Sequence, residues 1–295
     1  MVTPVTGRQF AWFRIAFGLY LTIHLAHLLP WGPELFSREG VLSDAALNPT
    51  HGILPNALAW WDSPAFVTAF LVALVALALL FTIGVARQAV ALLLWYGWAC
   101  LFNRNVLISN PSLAYVGLLL LLTTVVPARE PLRLFGRHHP ADDFFVPAAA
   151  YWGAWFLMAA GYTFSGIVKL SSPSWVDGTA LWHVIHNPLA RDGLFRDAVL
   201  GLPDWAFQAL TWKALALEVL FLPLALWRWT RPVIWLALVG MHLGILTLVS
   251  FADLSAGMLM VHLFTFDARW PAMARTLRDR VLRTRFAHGT SYPAA

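Results

Sequence analysis

The 295-residue chain has one cysteine and two lysines, and only 12% of its residues are charged. A single thiol, Cys100, excludes an internal disulfide and a thiolate metal cluster. So little charge beside 59% apolar residues leaves too little polar surface to cover a soluble domain of this length. No Gly-rich phosphate loop, internal repeat or low-complexity segment is present, which disfavours a nucleotide-driven machine. Nucleic acid is not an expected partner, although the formal charge is +5, because the 18 arginines gather at the ends of apolar segments and in the C-terminal tail.

Long apolar runs fill the rest. A helix needs about 20 apolar residues to cross the hydrocarbon core, where each backbone polar group must be satisfied internally. Eight segments qualify or nearly so, at about 8–29, 65–86, 88–107, 112–127, 147–170, 206–227, 231–250 and 253–267. The first is too long for the apolar region of a signal peptide and is read as a retained span. The expected fold is therefore all-α: a polytopic integral membrane bundle of about eight transmembrane helices over residues 1–267. A basic amphipathic tail, 268–295, follows, with Met273, Leu277 and Val281 at helical spacing against the anionic inner leaflet.

Charge sets the expected orientation. With a cytoplasmic N-terminus, thirteen arginines fall inside, namely Arg8, Arg87, Arg129, Arg133, Arg137, Arg228, Arg231, Arg269, Arg275, Arg278, Arg280, Arg283 and Arg285. Only Arg38, Arg104, Arg191 and Arg196 fall outside, so both termini are expected in the cytoplasm and the site on the outer side of a cytoplasmic membrane. The outer loops 30–64 and 171–205 are rich in Trp, Pro, Asp and His and are expected to form structured caps.

Ionisable groups inside spans are costly and become functional candidates. Lys169, Lys213, Glu218 and His242 stand out. The bland alternatives are that both lysines snorkel to the interface while Glu218 and His242 hold helices together. For Lys169 the neighbouring turn favours chemistry: Gly166-Ile167-Val168-Lys169-Leu170 precedes Trp175-Val176-Asp177-Gly178, coupling an intramembrane amine to a turn and an indole. Burial penalises an ammonium, so an amine in an aromatic pocket without an ionic partner can serve as a general base.

Asn103-Arg104-Asn105 and Asn110-Pro111-Ser112 make a polar turn between the third and fourth spans, whose donors either fix a substrate oxygen or cap helices. His24 with His27, and His183 with His186, have i, i+3 spacing. A metal would need three or four such ligands at one point, so no metal is favoured.

The stretch Phe164-Ser165-Gly166-Ile167-Val168-Lys169-Leu170 with Trp175-Val176-Asp177-Gly178 resembles the membrane domain of the vitamin K-dependent gamma-carboxylases, within the horizontally transferred transmembrane (HTTM) family. A second resemblance runs from Trp212 through Glu218, Thr230-Arg231 and His242 to Ser250-Phe251, with weaker support in Phe13-Arg14-Ile15, Gly18 and Asn103-Arg104-Asn105. It implies a membrane enzyme with Lys169 as base and His242 as a second catalytic residue. A reduced naphthoquinone or other isoprenoid quinone would be its cofactor, with oxygen and carbon dioxide as reactants. Trp175, Asn103, Arg104, Asn105, Asn110 and Trp182 are the matching candidates for the quinone site. Membrane lipids, the quinone and a protein or peptide substrate are the implied partners.

Three departures from the carboxylases stand out, the first that their Lys-Lys pair appears here as Val168-Lys169. Pro111 occupies the place of a family histidine, and the large luminal domain that binds a propeptide is absent, which argues against carboxylation of a propeptide-bearing protein. A lipid-binding scaffold of the same fold and a small transporter using Lys169, Glu218 and His242 are the competing functions.

Overall fold

A computed structural model describes residues 4–134, 144–276 and 278–279. Eight helices of fourteen residues or more carry the bundle: α1 (Gly7–Leu28), α2 (Pro64–Ile83), α3 (Arg87–Arg104), α4 (Pro111–Val125), α5 (Ala148–Lys169), α6 (Asp204–Val219), α7 (Arg231–Leu248) and α8 (Ala252–Thr265). No strand occurs among the described residues, apart from one isolated bridge between Ala190 and Val249. The chain is therefore all-α, as its apolar runs predict.

The helix starts follow local chemistry. Thr6, Ser63 and Asn110 accept from the backbone N–H groups of Gln9, Phe66 and Ser112, and Pro64 and Pro111 occupy first-turn positions where no N–H is needed. Helix α2 ends on Gly84 at φ +80°, the left-handed conformation that closes a helix and that glycine adopts without a Cβ penalty. The expected sixth segment is broken: α6 ends at Val219 and a separate six-residue helix, Phe221–Leu226, continues from it.

Among the described residues, three stretches are long and apolar enough to cross a membrane: Gly7–Phe36, Pro64–Ile83 and Arg231–Leu248. Pro111–Val125 and Ala252–Thr265 are apolar but shorter. Thus the structure carries three helices of spanning character where the sequence predicts eight. The other expected spans form helices at nearly the predicted positions, but polar residues such as Arg87, Asn103 and Arg104 in α3 dilute their apolar character. Leu79, Leu92, Leu93, Phe156, Phe164, Val233 and Leu236 point outward on these helices and are exposed, an arrangement suited to a lipid solvent.

Helices alternate in direction. At one end of the bundle Gln9 donates to the Phe266 carbonyl at 2.7 Å and Tyr151 to the Thr265 carbonyl at 3.1 Å. There Arg14 and Arg87 converge on Glu130, at 3.6 and 2.8 Å. Arg14 also donates to the carbonyls of Phe81, Thr82 and Leu132, and Arg87 to those of Thr123 and Val126. Both guanidiniums are fully buried, which corrects the reading of Arg87 as a charge facing the inner surface. At the other end Asn56 donates to the Cys100 carbonyl, Asn110 to Asp253, and the Arg191 N–H to the Leu248 carbonyl. Between the two ends lies an aromatic core in which Phe13 meets Phe264 at 5.1 Å and Phe17 meets Phe81 at 5.9 Å.

Residues 280–295, most of the predicted amphipathic tail, lie outside the described residues, as do Leu277 and Arg137. Residues 270–276 are helical.

Candidate functional site

Helix α5 ends on Lys169, and what faces it is set by a glycine one turn earlier. A Cβ on Gly166 would stand 2.6 Å from the Val219 nitrogen and 3.0 Å from the Glu218 carbonyl carbon, so only glycine lets α5 press against the end of α6. That approach sets Glu218 opposite Lys169. The Lys169 Nζ donates to both carboxylate oxygens, at 2.6 and 2.5 Å, and lies 4.5 Å from the centre of the Trp175 ring. Glu218 is almost wholly buried, and a quarter of the Lys169 side chain remains exposed.

This arrangement corrects the expectation of an amine without an ionic partner. A buried carboxylate and a partly exposed ammonium offset each other's desolvation, so each is tolerated because of the other. Sequence singled out both residues but could not pair them, since they lie 49 positions apart.

The Trp175-Val176-Asp177-Gly178 turn builds the lid over the pair. The Val176 carbonyl accepts from the Trp212 indole at 3.1 Å, tying the turn to α6. Asp177 accepts from the Thr179 N–H at 2.9 Å and its hydroxyl at 2.7 Å, and these bonds hold its carboxyl below the usual carboxylate range. Gly178, at φ +86°, packs its Cα face on Gln208. The motif thus fixes Trp175 over the ammonium, a cation–π contact.

His242 lies elsewhere in the core, almost fully buried. Its Nε2 is 2.6 Å from the Tyr162 hydroxyl and its Nδ1 is 3.1 Å from the Ser255 hydroxyl. No hydrogen bond joins it to Lys169 or Glu218 among the described residues, so the two expected catalytic residues do not form one hydrogen-bonded unit. The His262 ring lies edge-on to that of His242, centroids 5.8 Å apart, and its Nε2 is buried without a partner among the described residues. Tyr162, Ser255 and His262 were not singled out from sequence; a tyrosine or serine inside an apolar run carries no local mark of its partner, whereas the imidazole of His262, inside the 253–267 segment, was as visible as that of His242.

The expected quinone-binding set divides. Trp175 stays with Lys169. Trp182 stacks on His186 at 3.9 Å in the cap helix Ala180–His186. Arg104 is spent on the carbonyls of Ser37, Leu42 and Ser43, and Asn105 on the Leu35 carbonyl and the Leu107 N–H, so both hold the 30–64 loop against α3. Asn103 and Asn110 instead line a cleft of about 580 Å³ between α3 and α4. Arg104 and Asn103 also line a smaller cavity of about 290 Å³ beneath the 45–60 segment.

The candidate metal ligands diverge as well. His24 packs on Trp98 at 5.1 Å while His27, on the next turn, is exposed, and His183 and His186 are both exposed around Trp182. No group of three or more potential ligand side chains converges among the described residues. Lys213 is exposed, in keeping with an interfacial lysine. Comparison with protein-family models, with curated proteins and with solved structures found no match to this chain.

Proposed function

We propose that this protein is a polytopic membrane enzyme, with eight crossings and both termini cytoplasmic, whose Lys169–Glu218 pair acts as an acid–base centre on a reduced isoprenoid quinone at the outer face. The observation that carries the reading is the bidentate pair itself, a partly exposed amine held on a buried carboxylate under an indole. The resemblance of the Gly166-to-Gly178 stretch to the HTTM membrane domain of the carboxylases supplies the substrate class.

The pair holds one proton at either of two atoms. On Nζ it gives an ammonium and a carboxylate; on a Glu218 oxygen it gives a neutral amine and a carboxylic acid. With the proton on Glu218, the Lys169 lone pair is free to accept a second proton, and the resulting ammonium stands beside the anion left behind. A reduced naphthoquinone, when bound, supplies an acidic ring hydroxyl and the two electrons that oxygen takes up. The residues present fit such a ring: Trp175 offers a planar wall beside Nζ, and a quarter of the Lys169 side chain is exposed.

Purified protein given a naphthohydroquinone should consume oxygen. Lys169→Met and Lys169→Arg should both lose that turnover at equal folded amount, since a guanidinium does not give up its proton. An active Lys169→Met protein would overturn the assignment. Quinone binding without turnover in the native protein would move the reading to a lipid-binding scaffold, which the separate cleft between α3 and α4 favours.

A further inference from the structure

The cleft between α3 and α4 has a polar end and an apolar end. Thr50, Asn103 and Asn110 stand at the first, and Trp95, Gly117 and Leu118 at the second. From Asn110 to Leu118 along α4 is about 12 Å at the helical rise. A volume of about 580 Å³ falls within the ordinary range of small-molecule sites, and none of the lining residues is ionisable.

The hydrogen bonds at the polar end are already sorted. The Thr50 hydroxyl lies against the side-chain oxygens of both Asn48 and Asn103, and the Asn103 backbone carbonyl accepts from Asn48 at 2.6 Å. One hydroxyl proton serves only one of those oxygens, and in either orientation of the Asn103 amide at least one of its N–H bonds is left to donate. Asn110 accepts from both the N–H and the hydroxyl of Ser112 and donates to Asp253 at 2.7 Å. The Trp98 indole is spent on the Leu113 carbonyl at 2.9 Å. The cleft therefore offers a donor to its occupant, and the Asp253 carboxylate behind Asn110 opposes an anionic head.

We propose that this cleft binds one membrane amphiphile with an uncharged, carbonyl-bearing head, the carbonyl accepting from the Asn103 amide and the tail lying along Trp95, Gly117 and Leu118. The chemistry is shared by the ester of a neutral glyceride and the ketone of a quinone. The site is separate from the Lys169–Glu218 pair, so the inference does not rest on the proposed reaction.

Gly117 supplies the selective test. A Cβ there would lie 3.7 Å from Trp98 and 3.9 Å from Trp95, ordinary contact, so Gly117→Ala is expected to fold and Gly117→Leu to fill the cleft. Native mass spectrometry of the detergent-solubilised full chain would be run with dioleoylglycerol, a long-chain naphthoquinone and phosphatidylglycerol. One neutral lipid should bind with 1:1 stoichiometry, more tightly than the phosphatidylglycerol, and whichever binds identifies the ester or ketone source. Gly117→Leu should weaken it at least tenfold and Asn103→Asp about fivefold, the loss of one hydrogen bond. Phosphatidylglycerol bound as tightly as the neutral lipids would overturn the proposal. So would full binding by a Gly117→Leu protein that melts with the native one.

Discussion

Lys169 and Glu218 show how a single partner alters what a residue is expected to do. An unpaired amine replaced by methionine would cost nothing, but here Lys169→Met leaves a carboxylate buried alone. We expect that variant to lose about 2–3 kcal/mol, below the full cost of breaking a buried pair because Lys169 is a quarter exposed. Lys169→Met with Glu218→Gln should regain most of it, and thermal melts of the native protein, both single variants and the double variant give the coupling. A Lys169→Met protein that melts with the native one would show that the pair contributes no stability. Asp177 gives a pH-dependent counterpart. Its folded pKa is depressed by Thr179, so its contribution is present above the unfolded carboxylate value, near 3.8, and is lost as pH falls through the lower folded value. Amide exchange at Thr179 should therefore quicken only in acid below about pH 4, and in Asp177→Asn that acid step should vanish.

At the scale of elements, close approach sets the packing of α5 on α6 and of α1 on α2. Gly166 brings α5 onto the end of α6, and Gly18 lies against Thr82, where α1 crosses α2. Gly166→Ala should force the α5–α6 contact apart, destabilising by about 1–3 kcal/mol and reducing activity even though Lys169 and Glu218 are intact; unchanged melting and turnover would refute the close-packing argument. The opposite end is held by charge. Among the described residues Glu130 is the acid that both buried guanidiniums share, so Glu130→Gln should cost about 3–5 kcal/mol in thermal denaturation. A melting temperature equal to the native would mean that the carbonyls of Phe81, Leu132 and Val126 suffice to hold both arginines.

For the whole molecule, the alternation of helix direction brings the start of α1 to the end of α8, and the proposed topology turns that into sidedness. Cysteines introduced at Ser43 and Asp192 should react with an impermeant reagent from outside, while one at Arg280 should not. Cys100 is buried and should add little background. Reaction at Arg280 alone would invert the orientation, and reaction at all three would refute a sealed, single topology.

The all-α character and the approximate position of every long helix were legible from the sequence, because apolar length, capping residues and proline act locally. The same holds for the candidacy of Lys169, Glu218 and His242, since a charge or imidazole in an apolar run is visible without its neighbours. What they touch was not. The Lys169–Glu218 pair, the Tyr162–His242–Ser255 chain and the Arg14–Arg87–Glu130 cluster each join residues at least 13 and up to 116 positions apart. The polar turn between α3 and α4 also divided only in three dimensions, Arg104 and Asn105 turning to loop carbonyls while Asn103 faces the cleft. A side chain's chemistry depends on which donors, acceptors and charges reach it, and in a helical bundle those come from neighbouring helices whose contact is fixed only by packing.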